Sequence, residues 1–267
     1  MKYARVVSGK TSPNGDYGVI RGDMIYVLSA SPLDEKAEET GVSFPVKDVE
    51  TYLPPVSPPN IVALGLNYAA HARESNMEPP EEPVVFLKAS TALTGHLSPV
   101  ILPTDHPDEV DYEAELAVII GKKAKNIPEN EILDYVFGYT CSNDVSARDC
   151  QMRFDRQWAR AKSFDSFAPL GPWIETELDA SDIKIETRLN GKTMQSSGTK
   201  DLIFKLPRLL SFLSRQMTLL PGTVVMTGTP SGVGYGRTPG VYLRPGDTVE
   251  IDIEGIGVLK NPVVREV

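Results

Sequence analysis

The segment from Val110 to Ile120, VDYEAELAVII, constrains the fold more than any other stretch of this chain. Because successive side chains of a β-strand point to opposite faces, a strand here places Asp111, Glu113 and Glu115 on one face. The apolar end of the segment predicts that the strand enters a core. Carboxylates so close to a core repel each other and lose hydration unless a positive charge lies between them. The segment is therefore either a divalent-cation site with oxygen ligands, which suits Mg²⁺, Mn²⁺ or Ca²⁺, or an edge strand with a solvated acidic face.

The composition argues against several classes of protein. The formal net charge is −9 and no basic block is present, which disfavours a nucleic-acid partner. No run approaches the roughly 18–20 apolar residues of a membrane span, and the N-terminus lacks the apolar segment of a signal peptide. Two cysteines, Cys141 and Cys150, are too few for a disulfide framework, so we expect a cytoplasmic protein.

The distribution of turn residues predicts a strand-rich α+β fold in two parts. The 267 residues include 22 prolines and 21 glycines, and 41% are hydrophobic, which allows one sizeable core with a small appendage. Lys2 to Val7 is predicted to be a strand, and Asp16 to Ile20 with Met24 to Leu28 a hairpin. Short helices are expected from Val46 to Tyr52 and from Pro128 toward Tyr135. We therefore predict a small N-terminal β module and connector over residues 1–55 and a main domain over residues 56–267.

A histidine and a glutamate share one face of a short predicted helix. Ile61 to Leu64 has the pattern of a buried strand, after which Asn67 is expected to cap a helix from Tyr68 to Ser75. His71 and Glu74 are three residues apart on this helix, so the carboxylate can orient the imidazole as a general base. The alternative is an exposed polar helix in which Glu74 pairs with an arginine. The segment 76–83 that follows is expected to be a surface loop, with a lid as its functional interpretation.

Four further charged residues lie where they can join the acidic segment. Asp144 follows a predicted strand and is a third candidate carboxylate, while Arg148 suits bidentate binding of a substrate carboxylate. Lys88, near a strand end, is a candidate to face a ligand carboxylate, and Lys162, among small and aromatic residues, is a candidate to face carboxylates or an anion. The alternatives are a solvated Lys88, a helix cap at Asp144 with Arg148 in a surface network, and a Lys162 that buries only its aliphatic stem.

A glycine-rich segment, TGTPSGVGYG, follows a predicted strand at Val224 to Met226. Its backbone N–H groups and the hydroxyls of Thr227 and Thr229 can point at one anionic oxygen. It lacks the GK[ST] sequence and the following helix of a phosphate loop. The alternative is a simple loop between strands.

Five motifs in this order resemble the fumarylacetoacetate hydrolase family over about residues 60–264. They are NYAAHARE, FLKAS, DYEAELAVIIG, NDVSARDCQ with AKSFD, and MTGTPSGVG. The resemblance implies a mixed β-sandwich roll, a homodimer, and Mg²⁺ or Mn²⁺ as cofactor, with Ca²⁺ as a substitute. It also implies site residues: the metal ligands Glu113, Glu115 and Asp144, the catalytic residues His71, Glu74 and Lys162, and the substrate-binding residues Arg148, Gln151 and Thr229. Lys88 is a further substrate-binding candidate, from its position near a strand end.

The resemblance implies a small-molecule 2-oxo acid as substrate. The expected reactions are hydrolytic C–C cleavage of an acylpyruvate, with His71 activating water, or isomerisation of 2-hydroxyhepta-2,4-diene-1,7-dioate. Decarboxylation of oxaloacetate is a third alternative and needs no general base. A non-catalytic, metal-stabilised β protein is the alternative from another class. The short N-terminal module argues against fumarylacetoacetate itself.

Overall fold

The computed structural model describes residues 1–266, and its secondary structure is mainly β. The strands of the first half are β1 (Lys2–Val7), β2 (Asp16–Arg21), β3 (Met24–Leu28), β4 (Glu39–Pro45), β5 (Thr51–Leu53), β6 (Ile61–Leu64), β7 (Val85–Lys88), β8 (Leu93–Thr94), β9 (Val100–Leu102), β10 (Val110–Asp111) and β11 (Ala114–Ile120). Those of the second half are β12 (Val136–Asn143), β13 (Ser146–Ala147), β14 (Ala168–Glu175), β15 (Lys184–Leu189), β16 (Lys192–Gly198), β17 (Val224–Met226), β18 (Thr248–Ile253) and β19 (Gly257–Arg265). The α-helices are α1 (Ala69–Glu74), α2 (Ala159–Lys162) and α3 (Leu206–Gln216). Within residues 1–266, no helix has both the length and the apolar character that a membrane crossing requires.

Two sheets form the main body of the molecule. A twelve-stranded mixed sheet follows the order β4-β3-β2-β1-β14-β12-β11-β17-β6-β7, with β5 beside β1 and β8 beside β14. A five-stranded sheet follows the order β16-β15-β18-β19-β9 and packs against β11, β12 and β14 of the first. The arrangement confirms the predicted strand-rich α+β class, because the apolar faces of both sheets meet in one core.

Strand β11 lies in the middle of the large sheet. It pairs with β12 on one side and β17 on the other, and all seven of its residues are fully buried. The interpretation as an edge strand with a solvated acidic face is therefore wrong. The predicted strand over residues 110–120 is also interrupted, because residues 112 and 113 separate β10 from β11.

The N-terminal part has a small core of its own, built from Ala4, Val6, Ile25, Val27 and Phe44. The strand and hairpin predictions for residues 2–28 are confirmed. Strand β1 pairs with β14, so this part continues the large sheet, and the division at residue 55 stays a prediction.

Two predicted helices are shorter than expected. The prediction of a helix over residues 46–52 is wrong, since a single 3₁₀ turn at Val46–Asp48 precedes β5. The helix expected from Pro128 toward Tyr135 is likewise only a 3₁₀ turn, Ile132–Tyr135. Neither segment has enough residues of helical periodicity to offset the cost of nucleating a helix.

Candidate metal centre and active site

Three buried carboxylates lie close together at the end of the pairing between β11 and β12. Oxygens of Glu113, Glu115 and Asp144 all lie within 4.8 Å of one another. Glu113 precedes β11, Glu115 is on it, and Asp144 directly follows β12. The Asp144 amide donates to the Glu113 carbonyl at 2.9 Å, which keeps the two backbone segments together. The structure thus brings together the three predicted metal ligands, and their binding of a cation stays a prediction.

The backbone beneath this cluster is held by side chains rather than by a neighbouring strand. The amides of residues 112, 113 and 114 donate to Asp111 Oδ1, Asn143 Oδ1 and Gln195 Oε1, at 2.8, 2.9 and 2.9 Å. Because the strand is interrupted here, Asp111 does not join the other two carboxylates as simple alternation predicts. It accepts from the amides of Gly234 and Tyr235 at 2.8 and 2.9 Å instead.

Two buried lysines contact the carboxylate cluster. Lys162 Nζ donates to Glu113 Oε2 at 2.8 Å and to Asp144 Oδ2 at 2.6 Å. Lys88 Nζ donates to Asp144 Oδ1 and, at 3.3 Å, to the Val145 carbonyl. The alternatives of a solvated Lys88 and of a Lys162 that buries only its stem are therefore wrong. Each ammonium group lies inside the protein because carboxylates replace its lost hydration.

Arg148 is only 5% exposed and contacts acidic and amide side chains of the protein. Its Nε donates to Asp111 Oδ2 at 2.8 Å and its Nη1 to Gln151 Oε1 at 2.7 Å. Its Nη2 lies 2.7 Å from Glu113 Oε1 without the alignment of a hydrogen bond. The interpretation of Asp144 as a helix cap is wrong, since β13 follows it. Substrate binding by Arg148 and Gln151 stays a prediction.

The surroundings shift the pKa values of the two glutamates in opposite directions. Burial alone would raise the pKa of Glu113, but the charges of Lys162 and Arg148 outweigh it and hold that pKa below its ordinary value. Burial raises the pKa of Glu115 well above its ordinary value, and the negative charges of Asp144 and Glu113 raise it further. Glu115 is thus the carboxylate of the cluster that lacks a compensating cation.

The cluster fits a hard divalent cation. Glu115 Oε2 accepts from the Gly228 amide at 2.7 Å, whereas its buried Oε1 has no hydrogen-bond partner among residues 1–266. All three ligand candidates offer oxygen, which suits Mg²⁺, Mn²⁺ or Ca²⁺. Lys88, Lys162 and Arg148 carry three positive charges against the four carboxylates of the cluster and Asp111. With all four carboxylates ionised, one negative charge of the metal-free site would lack a cation partner, at Glu115, whose pKa is raised by burial and by the neighbouring carboxylates.

The predicted histidine–glutamate pair is formed on α1. His71 Nδ1 lies 3.0 Å from Glu74 Oε2, and the Gly232 amide donates to both Glu74 oxygens at 2.9 and 3.1 Å. Burial would raise the pKa of Glu74, but the bonds from His71 and Gly232 outweigh it and lower that pKa. With its proton on Nδ1, the imidazole keeps a basic Nε2. The alternative in which Glu74 pairs with an arginine is wrong, because its partners are His71 and the Gly232 amide.

The glycine-rich loop after β17 binds protein carboxylates. Its amides at positions 228, 232, 234 and 235 donate to Glu115, Glu74 and Asp111. The prediction that they converge on one anionic oxygen is therefore wrong. Gly232 has a φ of 102°, and an added Cβ would lie 2.3 Å from the Met194 carbonyl, so glycine is required there.

The hydroxyls and amides around this loop form a buried network. Thr229 Oγ1 donates to the Ala114 carbonyl at 2.9 Å and accepts from Gln195 Nε2 at 2.9 Å. The prediction that Asn67 caps α1 is wrong, because its Nδ2 donates to the Thr227 carbonyl at 2.7 Å and its Oδ1 accepts from the Phe204 amide at 2.8 Å. A substrate contact of Thr229 stays a prediction.

A second group of potential ligands, His106, Asp149 and Cys150, is less suited to a cation. His106 Nδ1 lies 2.6 Å from Asp149 Oδ2, and Arg160 Nη1 lies 3.4 Å from His106 Nε2. A guanidinium group beside the imidazole repels a cation, and Asp149 raises the pKa of the Cys150 thiol, already raised by burial, to about 11. This group is better described as a hydrogen-bonded ion-pair network.

Sequence reasoning missed Asp111, Asn143 and Gln195 as supports of the site. The alternation of Asp111 with Glu113 indicated that Asp111 could belong to the site. Its loop partners, however, lie more than a hundred residues away in the sequence. Asn143 and Gln195 gave none, since a polar residue in a strand is ordinarily on a solvated face.

Comparison with known proteins agrees with this fold. A family model described as fumarylacetoacetate (FAA) hydrolase C-terminal matches residues 60–264, and one described as Rv2993c-like, N-terminal, matches residues 1–55. The mitochondrial oxaloacetate tautomerase Fahd2a of Rattus norvegicus is 45% identical over 218 residues, 80% of this chain and 69% of that protein.

Two solved structures align over the whole of this chain. They are a 5-carboxymethyl-2-hydroxymuconate delta-isomerase from Mycobacterium smegmatis (TM-score 0.88, 42% identity, 100% of both chains) and a 2-hydroxyhepta-2,4-diene-1,7-dioate isomerase from Mycobacterium marinum (TM-score 0.87, 37% identity, 99% of that chain). The chain belongs to the fumarylacetoacetate hydrolase family, whose enzymes include isomerases, a tautomerase and hydrolases.

Proposed function

We propose that the protein is a divalent-metal-dependent enzyme that transfers a proton at the carbon beside the 2-oxo group of a 2-oxo or 2-hydroxy-enoic diacid. The observation that carries the proposal is the buried group of Glu113, Glu115 and Asp144 together with a histidine whose Nδ1 is fixed by Glu74. The names of the relatives support it, because the isomerases and the tautomerase each move a proton between carbon positions or between carbon and oxygen.

Glu113, Glu115 and Asp144 would hold the cation, Mg²⁺ or Mn²⁺. When bound, such a cation polarises the 2-oxo oxygen of the substrate and so acidifies the neighbouring C–H bond. Lys162 and Lys88 hold Asp144 in place, and Lys162 also binds Glu113. The charges of Lys162 and Arg148 hold the pKa of Glu113 below its ordinary value, which favours the ionised form that binds metal.

His71 Nε2 is the group that would remove and return the proton. Glu74 fixes the orientation of the ring and stabilises the imidazolium that forms when the ring takes the proton. The Gly232 amide holds Glu74 in turn, so the loop that binds Glu115 also positions the base. One loop thereby connects the proposed base with the proposed metal ligands.

Hydrolysis of an acylpyruvate is the second candidate, and the ordered His71–Glu74 pair also favours it, since the same base can deprotonate water. Oxaloacetate decarboxylation is favoured less, because it would leave this pair without a role. A purely structural metal site would likewise leave the pair unexplained.

We expect His71→Ala to lower kcat by about 10²–10⁴, the usual contribution of a general base. The measurement is turnover of the oxaloacetate enol, 5-carboxymethyl-2-hydroxymuconate and acetylpyruvate with Mg²⁺ or Mn²⁺ present. The matched control is His106→Ala, which removes the other histidine that lies against a carboxylate, at 2.6 Å from Asp149, and is expected to leave kcat within about threefold.

The substrate that is turned over decides between the candidates. Enol or muconate turnover that depends on His71 supports the proposal. Cleavage of acetylpyruvate alone would replace it with the hydrolase. Proton transfer that survives His71→Ala, or no turnover of any of the three substrates with either metal, would contradict it.

A further inference from the structure

Gln195 lies on β16 in the five-stranded sheet, yet its side chain reaches the backbone of the carboxylate cluster. The residue is 1% exposed. Its Oε1 accepts from the Ala114 amide at 2.9 Å and from the Thr187 hydroxyl at 2.6 Å. Its Nε2 donates to Thr229 Oγ1 at 2.9 Å and to the Pro230 carbonyl at 2.7 Å. One amide therefore joins the acidic segment, the glycine-rich loop and the second sheet.

These four contacts use the full hydrogen-bonding capacity of the amide and fix its orientation. With oxygen and nitrogen exchanged, an N–H group would face the Ala114 N–H and a carbonyl oxygen would face the Pro230 carbonyl. Both contacts would then be repulsive, so only one orientation is compatible with the surroundings. A buried amide that is fully satisfied in one orientation is a rigid support.

Ala114 is the residue between Glu113 and Glu115, so its amide lies at the centre of the proposed ligand pair. Ala114 pairs with Asn143 at the end of the β11–β12 ladder, and its amide donates to Gln195 Oε1. The Ala114 carbonyl accepts from Thr229, which in turn accepts from Gln195. Both polar groups of the Ala114 backbone thus depend, directly or through Thr229, on this one side chain.

We infer that Gln195 is a positioning residue for the metal centre: it sets the relative placement of Glu113 and Glu115 through Ala114 and couples that placement to the Thr229 loop. The inference rests on the metal binding in the proposed function and adds a residue from outside the cluster. Residues that orient metal ligands typically contribute 10–100-fold to metal affinity.

The test compares Gln195→Met with Asn261→Leu. Asn261, on β19 of the same sheet, is equally buried, and its Nδ2 donates to the carbonyls of Gly95 and Ser98 at 2.8 Å each. Both substitutions replace a buried amide with an apolar side chain of similar size, but only Gln195 contacts the acidic segment. Mn²⁺ affinity is measured by electron paramagnetic resonance at a temperature where circular dichroism shows both variants folded.

We expect Gln195→Met to weaken Mn²⁺ binding at least about tenfold and Asn261→Leu to leave it within about twofold. With equal Mn²⁺ affinities in the two variants, or with the Gln195→Met affinity at the wild-type value, Gln195 would have only a structural role. A wild-type chain that binds Mn²⁺ but turns over no substrate contradicts the proposed reaction alone, and the comparison of affinities still tests Gln195. A wild-type chain that binds no Mn²⁺ overturns both.

Discussion

Glu115→Gln is expected to stabilise the metal-free protein and to abolish its stabilisation by Mg²⁺. Glu115 is buried against two other carboxylates, and one of its oxygens has no partner within residues 1–266. A neutral glutamine removes this repulsion, keeps an acceptor for the Gly228 amide and can donate toward Glu113 or Asp144. We expect a gain of about 1–3 kcal/mol in the free energy of unfolding, comparable to the cost of leaving one buried polar group unsatisfied. Urea unfolding with EDTA, and then with Mg²⁺, measures both effects.

Glu113→Gln is the matched control, because it should have the opposite effect on stability. Glu113 is paired with Lys162 and Arg148, so its neutralisation leaves two buried cations with less compensation. We expect the free energy of unfolding of the metal-free protein to fall by about 3–5 kcal/mol. As in Glu115→Gln, Mg²⁺ should no longer stabilise the variant. Equal effects of the two substitutions on metal-free stability would contradict the charge arrangement described here.

The difference in free energy of unfolding between metal-free Glu115→Gln and the metal-free wild type should grow with pH. The folded state raises the pKa of Glu115 above its value of about 4.3 in an unfolded chain. The unfolded state therefore releases this proton first, and the metal-free wild type loses stability as the pH rises above about 4.3. The glutamine variant has no such titrating group. Its gain in the free energy of unfolding over the wild type should therefore be near zero at pH 4 and largest at pH 8.

Asp111→Asn is expected to destabilise the metal-free protein by about 3–5 kcal/mol. Asp111 is fully buried and accepts from Arg148 Nε and from the amides of Tyr112, Gly234 and Tyr235. Asparagine has the same shape, but its NH₂ group must face one of these donors. The substitution also removes the negative charge that Asp111 places beside Arg148. Glu113 is then the remaining acidic contact of Arg148. Urea unfolding of the metal-free protein measures the loss.

Asp247→Asn provides the comparison for Asp111→Asn. Asp247 is a turn residue that also accepts from a backbone amide, that of Arg244, at 2.7 Å, and from Asn190 Nδ2 at 2.7 Å. It is not buried among charges, so its substitution should cost less than about 1 kcal/mol. Similar losses for the two variants would show that Asp111 does not connect Arg148 to the loop.

The sequence allowed the local elements and the site candidates to be predicted, but not how they are connected. Strands such as β1 and β6 follow from short apolar runs between turn residues, and these predictions are confirmed. The pair of His71 and Glu74 follows from helical spacing, which depends only on neighbours in the chain. Such features need no knowledge of the rest of the fold.

The contacts that fix the site depend on segments far apart in the sequence. Whether Lys88 is solvated or bound to Asp144 depends on the pairing of β6 with β7, which places its strand beside the cluster. The break before Ala114 reflects the side chains of Asn143 and Gln195, which have no local signature. The loop amides bind three carboxylates because two distant segments, α1 and the acidic segment, converge on that loop, and no spacing in the sequence encodes this convergence.

A crystal structure of the protein soaked in Mn²⁺ would show whether Glu113, Glu115 and Asp144 bind the ion, because the anomalous signal locates it. We expect one strong anomalous peak bounded by the carboxylates of Glu113, Glu115 and Asp144, at about 2.0–2.3 Å from an oxygen of each, the bond lengths of hard divalent cations. The same crystals of Glu115→Gln should lack this peak. A peak at His106 and Asp149 alone, or no peak at Glu113 and Asp144 at saturating Mn²⁺, would contradict the assignment of the metal centre.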